Sequence, residues 1–150
     1  MLNFLEMTFL GVVAIGYLYV SYKDIKIFRI ETTTVKWFFG LLLILTAIKT
    51  EGKTELILGS LAAAIGFYLL FRFLYLTKQL GGGDVRFATV LGLVHGYYGL
   101  EHSLFALFSI TASVAIYGLI QRNKVFPYGP GMCIGSYLAL ITKIVPLPIG

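Results

Sequence analysis

"LILGSLAAAIGFYLLFRFLYL", residues 56–76, carries a single charge, Arg72, in a stretch otherwise made of apolar, aromatic and small side chains. A helix crosses the hydrocarbon core of a bilayer with roughly 17 to 25 mostly apolar residues. This stretch is therefore read as a membrane span, and the rest of the chain repeats its character. Five more apolar runs cover about 3–22, 35–48, 85–98, 103–120 and 130–145. The second and fourth are short for a full crossing, which implies tilting or extension into their polar flanks. The expected fold is an all-α membrane protein, a bundle of about six transmembrane helices forming a single integral-membrane domain over residues 1–150.

Composition supports the same reading. Of the 150 residues 58% are hydrophobic and only 13% charged, with a mean hydropathy of +0.87. A soluble domain of this size is closer to half apolar and a quarter charged, and one small core could not hide the surplus. The net charge of +5 sits at the edges of apolar runs rather than in a phosphate-binding patch, so no nucleic-acid partner is expected. The single cysteine, Cys133, excludes an internal disulfide and a paired-cysteine zinc site, and reads as a small buried hydrophobe. Residues 1–20 lack the basic start and small-residue cleavage site of a signal peptide, so they are expected to remain as the first span.

Lysine and arginine are unevenly shared between alternate connections. Lys23, Lys26, Arg29, Lys36, Lys78, Arg86, Arg122 and Lys124 fall on one side, and Lys49, Lys53 and Lys143 on the other. The richer side is expected to face the cytoplasm, with both termini outside. The pairs Gly92/Gly96 and Gly131/Gly135 have the four-residue spacing that lets membrane helices pack closely.

The most unusual polar stretch is "QLGGGDVRF", residues 79–87, in which Gly81, Gly82 and Gly83 lead into Asp84. Of seven acidic residues only two are aspartates, Asp24 and Asp84. The charge count places both on the cytoplasmic face, one at the exit of span one and the other at the entry to span four. Each has a plain structural account. Asp84 can cap its helix, and Asp24, between Lys23 and Lys26, can form a solvated ion pair. Together they can do more. Two carboxylates brought within reach cannot both ionise freely, so one holds a proton while the other is charged. The charged member can take a proton from water attacking a peptide carbonyl, and the neutral one can donate to the carbonyl oxygen or the leaving amine. Glycines beside such an acid let an extended peptide approach the backbone. His95, placed mid-span, and His102, on the outer side, have no aspartate nearby to build a competing triad.

These features resemble the prepilin peptidase family, membrane-embedded aspartyl proteases that trim type IV prepilin-like proteins. "KDIKIFRI" is similar to the family's first-aspartate segment and places Asp24 in it. "GGGDVRF" matches the Gly-x-Gly-Asp motif as Gly81, Gly83 and Asp84, with Arg86 where the family usually has lysine. "FPYGPGMCIGSYLA", residues 126–139, looks like the Pro-Phe-Gly-Pro segment that opens the last helix. There Pro127, Gly129 and Pro130 are expected to turn the chain and shape the cleft, with proline at a first-turn position starting the helix. The resemblance extends over essentially the whole chain.

Two departures qualify it. Glu31 stands where the family typically has proline, and reads as a solvated partner of Lys26 or Lys36. The long cysteine-bearing insert of the larger members, associated with N-methylation of the trimmed pilin, is missing from the short connection after span one. The resemblance is thus to the short, peptidase-only form. It implies an endopeptidase of the cytoplasmic membrane that removes the leader of a membrane-inserted pilin, pseudopilin or preflagellin at the cytoplasmic face. Asp24 and Asp84 would be catalytic, with neither metal nor cofactor, and the other partner is the lipid bilayer. A non-catalytic transport or assembly subunit and a presenilin-like intramembrane protease are the alternatives.

Overall fold

The computed structural model describes residues 4–51, 53–77, 80–121 and 127–144. Among them are six helices: α1 (Phe4–Ile27), α2 (Thr32–Lys49), α3 (Thr54–Leu76), α4 (Gly82–Gly96), α5 (Leu100–Gln121) and α6 (Tyr128–Ile144). Each expected apolar run is a helix, and the described residues contain no strand. Four helices are long and apolar enough to cross a membrane: α1, α2, α3 and most of α5.

The shorter α4 is the axis of the bundle. Eleven of its fifteen residues are buried, and it packs on α2, α3, α5 and α6. A helix buried all round must be apolar all round, which fits "VRFATVLGLVHG" except at its two ends. The outer helices bury one face each. Phe9, Val13, Tyr17 and Val20 of α1, and Val35, Phe38 and Leu42 of α2, form inward stripes at helical spacing. Their outward faces carry exposed apolar side chains such as Phe4, Trp37, Phe108 and Leu119, at 72–82% accessibility. Water would penalise such a surface, whereas lipid tails accept it.

Because lipid removes most of the hydrophobic drive between helices, close backbone approach becomes the cohesive element. A Cβ at Gly92 would stand 2.6 Å from the Ala63 carbonyl oxygen, and one at Gly96 would stand 2.7 Å from Ser60 Cα. Gly131 and Gly135 press α6 against Val114 and Ile110 of α5 in the same way. The glycine pairs are packing surfaces.

Helix ends depart from the sequence reading in two places, and the start of α6 follows it. α1 runs through Lys23, Asp24 and Lys26 to Ile27, so these residues belong to its last turns and not to a loop. Phe28 ends it in the left-handed region (φ 49°), with its amide bonded back to the Asp24 carbonyl. The connection to α2 shrinks to residues 28–31. Gly82 and Gly83 are likewise the first residues of α4 rather than a loop, with extended Gly81 as the N-cap. α6 starts at Tyr128, which puts Pro130 in its first turn. Of the cations used to orient the chain, Lys78, Arg122 and Lys124 lie outside the described residues.

Candidate active site

Asp84 is the third residue of α4, not its cap. Its Oδ2 accepts the Gly81 amide at 2.9 Å, which satisfies one amide at the helix start and fixes the carboxylate over the Gly81–Gly83 backbone. Gly83 is set there by contact: a Cβ would lie 2.7 Å from the Ile30 carbonyl oxygen. The first turn of α4 therefore rests directly on the α1–α2 connection.

Asp24 reaches the same region from α1. It is 3% exposed, and its Oδ2 accepts the Gly129 amide at 2.7 Å, across 105 residues of sequence. Gly129 lies in the first turn of α6, where amides have no helical partner, so the positive end of that helix faces the carboxylate. Here too only glycine fits, since a Cβ at Gly129 would stand 2.8 Å from Asp24 Oδ2. The solvated ion pair with a neighbouring lysine is thus not formed. Lys23 pairs with Glu31 at 3.3 Å, and Glu31, which also accepts the Thr34 hydroxyl, is the N-cap residue of α2. Its partner is Lys23 rather than Lys26 or Lys36.

Asp24 and Asp84 line one cavity of about 200 Å³ together with Gly81, Gly82 and Gly83. At about 30 Å³ per water molecule this is room for several waters. Arg29, Thr32 and Arg86 also border it, and Arg86 is tied to the Thr32 hydroxyl. Pro127 and Pro130, expected to shape the cleft, are buried on either side of Gly129, and none of the three lines the cavity; Gly129 meets the site through its bond to Asp24. Among the described residues no lysine or arginine nitrogen lies within ion-pair distance of either aspartate, the pairs being Lys23–Glu31 and Lys49–Glu6. Two buried carboxylates with no ion-pair partner among the described residues are costly to folding, and such groups gather at functional sites. Asp84, which precedes the apolar part of α4 and lies outside the four candidate spans, shows the cost. Burial pushes its pKa from the ordinary 3.8 to about 6, the Gly81 amide opposing the rise and the Asp24 charge adding to it.

At the far end of α4 lies a polar chain that sequence reasoning missed. His95 is in the last turn of α4, not mid-span, and is fully buried. Its Nδ1 is 3.1 Å from Nε2 of His102, itself buried, and its Nε2 is 2.7 Å from the Ser136 hydroxyl. Ser136 continues to the Tyr17 hydroxyl at 2.7 Å. The four groups join α1, α4, α5 and α6 through hydrogen bonds in the buried core, where unpaired polar groups would be costly. Only the presence of two histidines in apolar runs hinted at it. Cys133 is buried, with its thiol directed at the Tyr17 carbonyl. Among the described residues no group of three His, Cys, Asp or Glu side chains is gathered as metal ligands.

The family model for type IV leader peptidases matches residues 11–119, a stretch that holds Asp24, the Gly81–Asp84 turn and both histidines and stops before Pro127. Searches among curated proteins and solved structures gave no match. The chain belongs to the type IV leader peptidase family.

Proposed function

We propose that the protein is an aspartyl endopeptidase that removes the leader of type IV prepilin-like substrates, with Asp24 and Asp84 as its catalytic pair. The observation that carries the reading is the shared cavity: two buried carboxylates, delivered by α1 and α4, with no lysine or arginine among the described residues within ion-pair distance of either. One carboxylate takes a proton from a water whose oxygen attacks the scissile carbonyl carbon. The other, protonated, donates to the carbonyl oxygen. When the tetrahedral intermediate collapses, the C–N bond breaks and a proton passes to the leaving amine. The protons belong to the pair, and which aspartate holds one at rest is left unassigned.

The site faces the cytoplasm in this account, with both termini outside and α4 and α6 completing six spans. Lys23, Lys26, Arg29, Lys36 and Arg86 lie at or beside the aspartate end, in keeping with the excess of cations on cytoplasmic faces. The test is direct. The purified protein, reconstituted in vesicles with a leader-bearing prepilin-like protein, is expected to release the leader, and mass spectrometry of the product locates the cut. Substrate left intact by folded enzyme would refute the activity.

A further inference from the structure

Between α3 and α5 the bundle is open along its length. Two cavities follow one another there. The outer, about 590 Å³, has Gly59, Ala62 and Gly66 of α3 on one wall and Leu104 and Leu107 of α5 on the other. The inner, about 260 Å³, continues between Phe71 and Leu74 of α3 and Thr111 and Val114 of α5. From Gly59 to Leu74 the α3 wall runs about 22 Å at 1.5 Å per residue, most of the thickness of a bilayer core. Both walls repeat every three or four residues, as helices do where they face another helix. The outer part of the α3 wall, Gly59, Ala62, Ala63 and Gly66, is built of small residues that allow close approach, and a Cβ placed at Gly66 meets no atom within 4 Å.

The inner end is closed by Leu80 and Tyr128. Leu80 precedes Gly81, whose amide holds Asp84, and Tyr128 precedes Gly129, whose amide holds Asp24. The inner end of the trough therefore lies one residue along the chain from each of the two amides that hold the carboxylates. A lipid chain could lie against any apolar face of this bundle, but only a peptide helix has a continuation that must reach those carboxylates.

We propose that the trough between α3 and α5 receives the apolar transmembrane helix of the substrate, so that the segment leaving its inner end meets Asp24 and Asp84. The proposal rests on the leader-peptidase reading, and its test separates docking from chemistry. A photoreactive residue replaces Leu104 in the trough or, as a control, Ile44 on the lipid face of α2, in an Asp84→Asn background. The protein is reconstituted with an intact leader-bearing prepilin-like protein and irradiated. Cross-linked substrate is expected from position 104 and not from position 44, whether or not the enzyme cuts. A second variant, Gly66→Phe, fills the trough. It is expected to cut the membrane-inserted substrate about tenfold more slowly, roughly the loss of one packed apolar contact. A soluble leader peptide ending short of the apolar helix should be cut as by the unsubstituted protein. Cross-links from position 104 to lipid alone, equal substrate cross-linking at both positions, or unchanged cleavage of the inserted substrate by Gly66→Phe would overturn the proposal. Cross-linking at position 104 by a protein that cuts neither substrate would uphold the docking and refute only the chemistry.

Discussion

Gly129→Ala adds one methyl group and is expected to disable the site without unfolding the protein. The new Cβ would stand 2.8 Å from Asp24 Oδ2, 3.2 Å from its Cβ and 3.3 Å from its Cγ. Asp24 cannot swing clear, because its Cβ is fixed to α1 and the residue is buried. The start of α6 and the end of α1 must part instead, and the 2.7 Å bond from the Gly129 amide is lost or stretched. Losing a hydrogen bond to a charged group costs about 1.5–3 kcal/mol, and overpacking adds about 1–3 kcal/mol. Displacing a catalytic group by about 1 Å can cost about 100-fold in rate. The expected result is a fall of about 100-fold in kcat/KM for leader cleavage, dominated by kcat, with the melting temperature lowered by several degrees. Gly11→Ala, on the exposed face of α1, is the control, because its Cβ meets nothing within 4 Å. Alanine in a helix interior gains about 0.5–1 kcal/mol over glycine, so this variant should be active and slightly more stable. The reasoning fails if Gly129→Ala cleaves at the unsubstituted rate, or if the two alanines behave alike.

Three further outcomes are expected. Asp84→Asn keeps an acceptor for the Gly81 amide but removes a carboxyl whose folded-state pKa is about 6 against an ordinary 3.8. The folded protein thus binds a proton more tightly than the unfolded chain, and stability is lost as pH rises through that window. The full penalty is about 3 kcal/mol above pH 6. Melting curves should show the variant more stable than the parent at pH 7.5, with the difference fading toward about pH 4; no gain at pH 7.5 contradicts the burial argument. Ser136→Ala orphans the His95 and Tyr17 ends of the core chain and should cost about 1–3 kcal/mol for each group left unpaired. Unaltered melting would show that the chain is not structural. Incubation of the purified protein with a methyl donor and trimmed substrate should leave the substrate unmethylated, and any incorporation would refute the peptidase-only reading.

The apolar runs were legible because lipid demands long uninterrupted stretches, and all six became helices. The environment of Asp24 was not. Lys23 and Lys26 adjoin it in sequence, yet on a helix residues one and two positions apart point to different faces. The lysines reach the surface while Asp24 turns inward to Gly129. The role of Asp84 was half legible: an acid at a helix start was expected, but its place three residues in follows from Gly82 and Gly83 taking helical conformation. Pro127, Gly129 and Pro130 announced a helix start, whereas the partner of Gly129 lay more than a hundred residues away and had no local signature. The His95–His102 contact escaped notice for a related reason. The helical turn after Gly96, with Gly99 at φ 100°, folds α5 back so that His102 meets His95.

Two aspartates from separate helices are proposed to act as one catalytic pair. The measurement that tests this most directly is leader removal from a tagged prepilin-like substrate co-expressed with the unsubstituted chain, with Asp24→Asn or with Asp84→Asn, each checked for membrane insertion and a cooperative melt. The unsubstituted chain is expected to trim the substrate, and each variant to fold and leave it whole. Trimming that survives either substitution would contradict the pairing.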